Sequence, residues 1–178
     1  MPNLGRAFVS WTRERRRAGH NHVTKEMITR FHKLPISELA KAGGVGIATA
    51  LLLTAVMVPA MKFGLSPMPK ALCQAFAETV LGRDLPLPVG LLFHTAYIAF
   101  WSIVFVGLWR DGLSLSKALL LGGVLWIAVL VVFFPVVGWG FLELAISPNS
   151  IVASFVPHVL FAVFLWGLCR VVFKIKAA

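Results

Sequence analysis

Four stretches of this chain contain no Asp, Glu, Lys or Arg: Ala42–Met61, Leu85–Trp109, Ala118–Leu142 and Leu144–Cys169. At 1.5 Å of rise per residue, a helix needs about 20 residues to cross roughly 30 Å of hydrocarbon, and each stretch reaches that length. Lipid offers the backbone no hydrogen-bond partners, so apolar segments this long must satisfy their N–H and C=O groups internally, as helices. Barrel strands would be about half as long and would alternate apolar with polar residues, which these do not. Composition agrees: 58% of residues are hydrophobic and only 13% are charged, where soluble chains carry about 25% charged residues. The expected fold is an all-α integral membrane protein of four transmembrane helices, with spans at about 42–62, 88–109, 118–138 and 150–170 of the sequence.

A formal net charge of +10 raises the question of nucleic acid, so its distribution matters. Arg6, Arg13, Arg15, Arg16, Arg17, Lys25, Arg30, Lys33 and Lys41 precede the first span. Arg110 and Lys117 lie between the second and third, and Arg170, Lys174 and Lys176 follow the fourth. Only Lys62, Lys70 and Arg83 fall on the other side. The positive-inside rule therefore predicts a bacterial cytoplasmic membrane protein with both termini in the cytoplasm. The charge encodes topology, and no nucleic-acid motif accompanies it. Cys73 and Cys169 are expected on opposite sides of the bilayer, where they cannot pair.

Residues 1–41 read as a basic cytoplasmic arm. Within it "TKEMITRFHKL" puts Met27, Ile28, Phe31 and Leu34 on one helical face, with Lys25, Arg30 and Lys33 elsewhere. Such a segment lies on an anionic leaflet or docks on a partner subunit, and Arg13, Arg15, Arg16, Arg17, Lys25, Arg30, Phe31 and Lys33 are its candidate contacts. Residues 42–172 form the membrane domain, and 173–178 a basic tail. Between the first two spans, "PKALCQAFAETVLG" opens on Pro69 and closes on Gly82, the punctuation of a short helix. Leu72, Cys73, Phe76 and Val80 would share a face, as in an amphipathic helix lying on the outer surface.

The two halves resemble each other. Lys41 precedes "AGGV" and Lys117 precedes "ALLLGGV"; each outgoing helix has a late proline, Pro59 or Pro135. Each incoming helix then carries a histidine followed by a tryptophan, His94 and Trp101 or His158 and Trp166. Two similar hairpins would set both histidines roughly 9–12 Å below the outer helix ends. A first-turn role for Pro157 would instead place His158 at an exposed helix start.

An intramembrane histidine has a plain use: it donates to a carbonyl of a neighbouring helix, an interaction worth about 0.6 kcal/mol. It also marks sites. Two histidines facing across a bundle can hold a b-type haem, with Tyr97, Trp101, Phe161 and Trp166 about it and Lys62 or Arg83 as propionate partners. A quinone or lipid cleft is the related reading, with a histidine donating to a head-group carbonyl and Glu143 moving protons. A transporter or channel needs more polar groups than His94, His158, Thr49, Thr54, Thr95 and Ser102 supply. No nucleophile elbow, paired carboxylates, HExxH or phosphate loop is present, so no catalysis is expected.

The order of "GIATALLLTAVM", "H-x-x-Y" (His94, Tyr97), "P-x-x-G-x-G" (Pro135, Gly138, Gly140) and "H-x-x-F" (His158, Phe161) resembles small bacterial four-helix membrane proteins of unknown function. The resemblance covers about residues 43–168 and departs at Phe161, where those proteins often have tyrosine. It implies the fold and no activity. From the residues, the expected function is a non-catalytic accessory subunit of a larger, energy-converting membrane complex, respiratory or photosynthetic. The alternative is a small haem b- or quinone-binding membrane protein using His94 and His158, with Tyr97, Trp101 and Trp166 in its pocket. The expected partners are the lipid bilayer and other membrane subunits, not nucleic acid.

Overall fold

The computed structural model describes residues 35–143 and 149–174, with the side chains of residues 143 and 149 left out. The arm contacts named above (Arg13 to Lys33), the last four residues and the Glu143 side chain lie outside the described residues. Five helices longer than a single turn carry the described residues: α1 Ile36–Lys62, α2 Leu72–Leu81, α3 Leu87–Trp109, α4 Leu115–Val136 and α5 Asn149–Val172. All but α2 are long and apolar enough to cross a membrane. No strand occurs among the described residues.

The helices exceed the expected spans mostly at charged or capped ends. α1 starts six residues before Ala42 and takes in Glu38 and Lys41, which pair at 3.2 Å. α4 starts at a Ser114 cap, whose hydroxyl accepts from the Lys117 amide, the kind of interaction that supplies a partner to an orphan N–H. α5 begins at Asn149, so Pro157 sits in its interior rather than its first turn. His94 is seven residues past Leu87 and His158 nine past Asn149, depths of roughly 10 and 13 Å along their helices.

Apolar side chains gain little by leaving lipid for one another, so membrane helices associate through close packing. Glycines provide it here. A Cβ on Gly46 of α1 would lie 2.5 Å from Ala99 Cα and 2.8 Å from Ser102 Oγ, both on α3. One on Gly122 of α4 would lie 2.7 Å from the His158 carbonyl oxygen on α5. One on Gly90 at the start of α3 would meet the Gln74 backbone of α2 at 2.6 Å. Around these contacts a core forms from Val45, Leu53, Phe105, Leu121, Phe161 and Leu165.

At one end of the bundle Arg110 joins three elements. Its Nε donates to Glu38 Oε2 of α1 at 2.7 Å, and its guanidinium lies 4.8 Å from the centre of the Phe173 ring just past α5. Lys117 donates to the Gly112 carbonyl at this end, and Arg170 lies over Trp166. The opposite half of the bundle is where the helices part.

A leucine at Gly46 would have to displace backbone, not a flexible side chain. Gly46→Leu should therefore lower stability by at least about 1–3 kcal/mol, whereas Gly44→Ala, which has nothing within 4 Å of its added carbon, should be tolerated. Thermal unfolding in mild detergent reads both.

Candidate functional site

Pro135 shapes the open half. It has no N–H to return to the Val131 carbonyl and its ring crowds that carbonyl. The turn before it, Val129–Phe133, is π-helical, and the Phe134 amide reaches back to the Val129 carbonyl, five residues away. Such widened turns are frequent at functional sites. Here the turn pushes Val129 and Phe133 into a cavity of about 480 Å³ between the helices.

Every helix contributes to its wall: Thr54 and Met57 from α1, Cys73 and Phe76 from α2, His94, Tyr97 and Trp101 from α3, Val129 and Phe133 from α4, Ser154, His158 and Phe161 from α5. Four of the five candidate pocket residues, His94, His158, Tyr97 and Trp101, thus line one space. Trp166 does not. Eight residues beyond His158, it lies about 12 Å further along α5, under the Arg170 guanidinium at 5.0 Å and against the core.

His158 is the best-fixed side chain of the site. Its carbonyl abuts Gly122, and its ring Nδ1 lies 2.7 Å from the Ser154 carbonyl oxygen. That oxygen can only accept, so the proton is on Nδ1. Ser154 is held in turn: its hydroxyl donates to the Ile151 carbonyl and accepts from Trp126 Nε1 of α4 at 3.2 Å. Among the described residues His158 makes no interhelical hydrogen bond, its donor being spent one turn back in its own helix. Among the described residues the His94 ring has no hydrogen-bond partner, and Trp101 Nε1 is buried with none. An unmet buried donor costs about 1–3 kcal/mol, which an acceptor on a ligand could recover.

Phe133 links the walls. Its ring lies 5.2 Å from Phe76 on α2 and 5.6 Å from Tyr97 on α3, centre to centre, and Tyr97 lies 6.2 Å from Trp101. Edge and tilted pairs of this kind add about 0.5–1.5 kcal/mol beyond their burial. The hydroxyls of Thr95 and Ser102 on α3 and of Thr49 on α1 are spent on carbonyls four residues back in their own helices.

α2 departs from the expected amphipathic helix. It begins at Leu72, later than Pro69 suggested, and ends at Gly82 in the left-handed conformation (φ 65°). Leu72, Cys73 and Phe76 turn to the cavity, but Val80 is exposed, and Ala75 and Ala77 are the buried residues. Helix α2 packs on protein because its polar side is tied down. Gln74 Nε2 donates to the Leu85 carbonyl at 2.8 Å, while Glu78 accepts from Lys70 at 2.7 Å and from the Leu85 amide. The polar residues that make the ties are spaced four apart, at Lys70, Gln74 and Glu78, and so share one side of the helix. Burial raises the Cys73 thiol above its ordinary value, so this cavity thiol is a poor nucleophile.

The Lys70 ammonium holds the Glu78 carboxyl below its usual 4.5. A depressed carboxylate contributes its stabilisation above the unfolded value and loses it as pH falls through the folded one. The difference in thermal midpoint between the wild type and Glu78→Gln should therefore be full at pH 7 and shrink below about pH 4. Glu78→Ala should also expose Cys73, raising its maleimide labelling at pH 7 several-fold as the ties to residue 85 loosen. No protein-family model, curated protein or solved structure matches the chain.

Proposed function

We propose that the chain binds a lipid-soluble ring ligand of the quinone class in the His94–His158 cavity, as a non-catalytic subunit of an energy-converting complex in the bacterial cytoplasmic membrane. The observation that carries this is the convergence of both imidazoles with Tyr97 and Trp101 on one cavity whose other walls are mostly apolar. Large apolar pockets between helices, with a few polar groups converging, are the usual sites for such ligands. A ring stacks on aromatic walls, and its oxygens take the polar partners.

Iron in a b-type haem would also suit two imidazoles, and Nδ1 of a ligating histidine commonly donates to a carbonyl as His158 does. Yet among the described residues no Lys or Arg lines the cavity to meet the propionates. Lys62 and Arg83, the expected partners, are exposed and line no part of it. The ring-oxygen reading is therefore preferred.

The topology belongs to the same proposal. Arg110, Lys117 and Arg170 mark the end that faces the cytoplasm by the positive-inside rule. The cavity then opens in the outer leaflet, beneath α2, between two hairpins whose helices meet at Gly46 and Gly122. The subunit role rests on the basic arm of residues 1–41, its charge and apolar face being those of a docking segment.

Protein extracted in mild detergent should yield quinone to organic solvent, and the yield should fall in His94→Ala and His158→Ala. A reduced-minus-oxidised visible spectrum of the same samples should be flat at the b-type α-band. A band that vanishes in both variants would replace quinone by haem, and neither signal would remove the cavity from the function. Large partners should co-purify with the full chain and be lost on deleting Met1–Lys33; a small oligomer running alone would end the subunit reading.

A further inference from the structure

The ring nitrogen that His158 turns away from Ser154 decides which ligand the cavity prefers. Nδ1 is 2.7 Å from a carbonyl oxygen and carries the proton. In a neutral imidazole the other nitrogen, Nε2, is then a bare lone pair. Among the described residues no carboxylate lines the cavity to pair with an imidazolium, and an unpaired charge there would carry the full penalty of leaving water. The site therefore offers an acceptor at His158, so the histidine expected to donate to a head-group carbonyl is not this one.

Resting on the quinone-class reading, we infer that the cavity selects the reduced, hydroxyl-bearing ring: a quinol whose O–H donates to His158 Nε2. The oxidised form would set a carbonyl lone pair against the nitrogen lone pair. The site would then either strand both or rotate the ring and forfeit the Ser154 bond. That rotation is resisted from two sides. Gly122 holds the His158 backbone against α4, and Ser154 is itself fixed by Trp126.

His94 makes no such choice. Its ring has no partner among the described residues, so it can present a proton to an acceptor or a lone pair to a donor. It accommodates the far oxygen of either form. Discrimination falls on His158 alone. A site built to hydrogen-bond a hydroxyl rejects the analogue lacking that proton more strongly than an apolar pocket rejects a missing methylene.

The test uses one short-chain benzoquinone in three forms: quinone, quinol and the O-methylated quinol. Binding to the detergent-purified full chain is followed by calorimetry without oxygen. The quinol should bind about ten-fold tighter than both other forms, the equivalent of one net hydrogen bond. In His158→Ala the preference should disappear. The three-ligand comparison on the unaltered chain stands even if that variant fails to fold. Equal affinities, or a preference for the quinone, would overturn the acceptor assignment while leaving the cavity a ring-binding site. Binding of none of the three would instead overturn the quinone-class reading.

Discussion

Where Gly122 meets the His158 carbonyl, two helices come closer than any side chain would permit. In water such a contact would be one detail of a core driven together by apolar burial. In lipid that drive between helices is missing, and contacts of this kind decide which faces meet. Gly46 does the same for α1 against α3, and Gly90 for α3 against α2. The three glycines fix the rotation of their helices, and with it the direction of every other side chain. His158 reaches the cavity because the residue it belongs to is the one pressed against Gly122.

The close approaches at Gly46, Gly90 and Gly122 leave a cavity among the helices they join. Pro135 cannot complete an ordinary turn, the π-helical turn before it carries Phe133 inward, and Phe133 bridges α2 and α3 through Phe76 and Tyr97. The aromatic groups thus line the opening instead of filling it. Polar anchoring stays at the two ends: Arg110 with Glu38 at one, Lys70, Gln74 and Glu78 at the other. Between them the polar groups are few and mostly bonded within their own helices, which leaves the imidazoles as the chemically distinctive part of the wall.

How much of the site could be read in advance differs from residue to residue. His94 and His158 stood out because an ionisable group in an apolar run is conspicuous, and the repeat placed them at similar depth. Tyr97 and Trp101 follow His94 at three and seven residues, on one helical face. Trp166 carries an equivalent spacing from His158 and yet lies against the core, beneath Arg170. Spacing gives a face within one helix but not which neighbour that face meets. The amphipathic pattern of α2 misled for a related reason, since Val80 matches Leu72 and Phe76 in period but extends past the protein they pack on. Residues 1–34 of the N-terminal arm lie outside the described residues and add nothing to this comparison.

The sequence by itself determined that the chain is helical, that four of its segments are long and apolar enough to cross a membrane, and where those segments fall. These follow from backbone hydrogen bonds in hydrocarbon, a constraint that acts on each segment alone. Only the tertiary structure decided that both histidines share a cavity, that α2 closes on protein, and that His158 keeps its proton on the nitrogen facing Ser154. Each of these depends on the distance between atoms far apart in the chain or on one rotamer, and neither has a period to read.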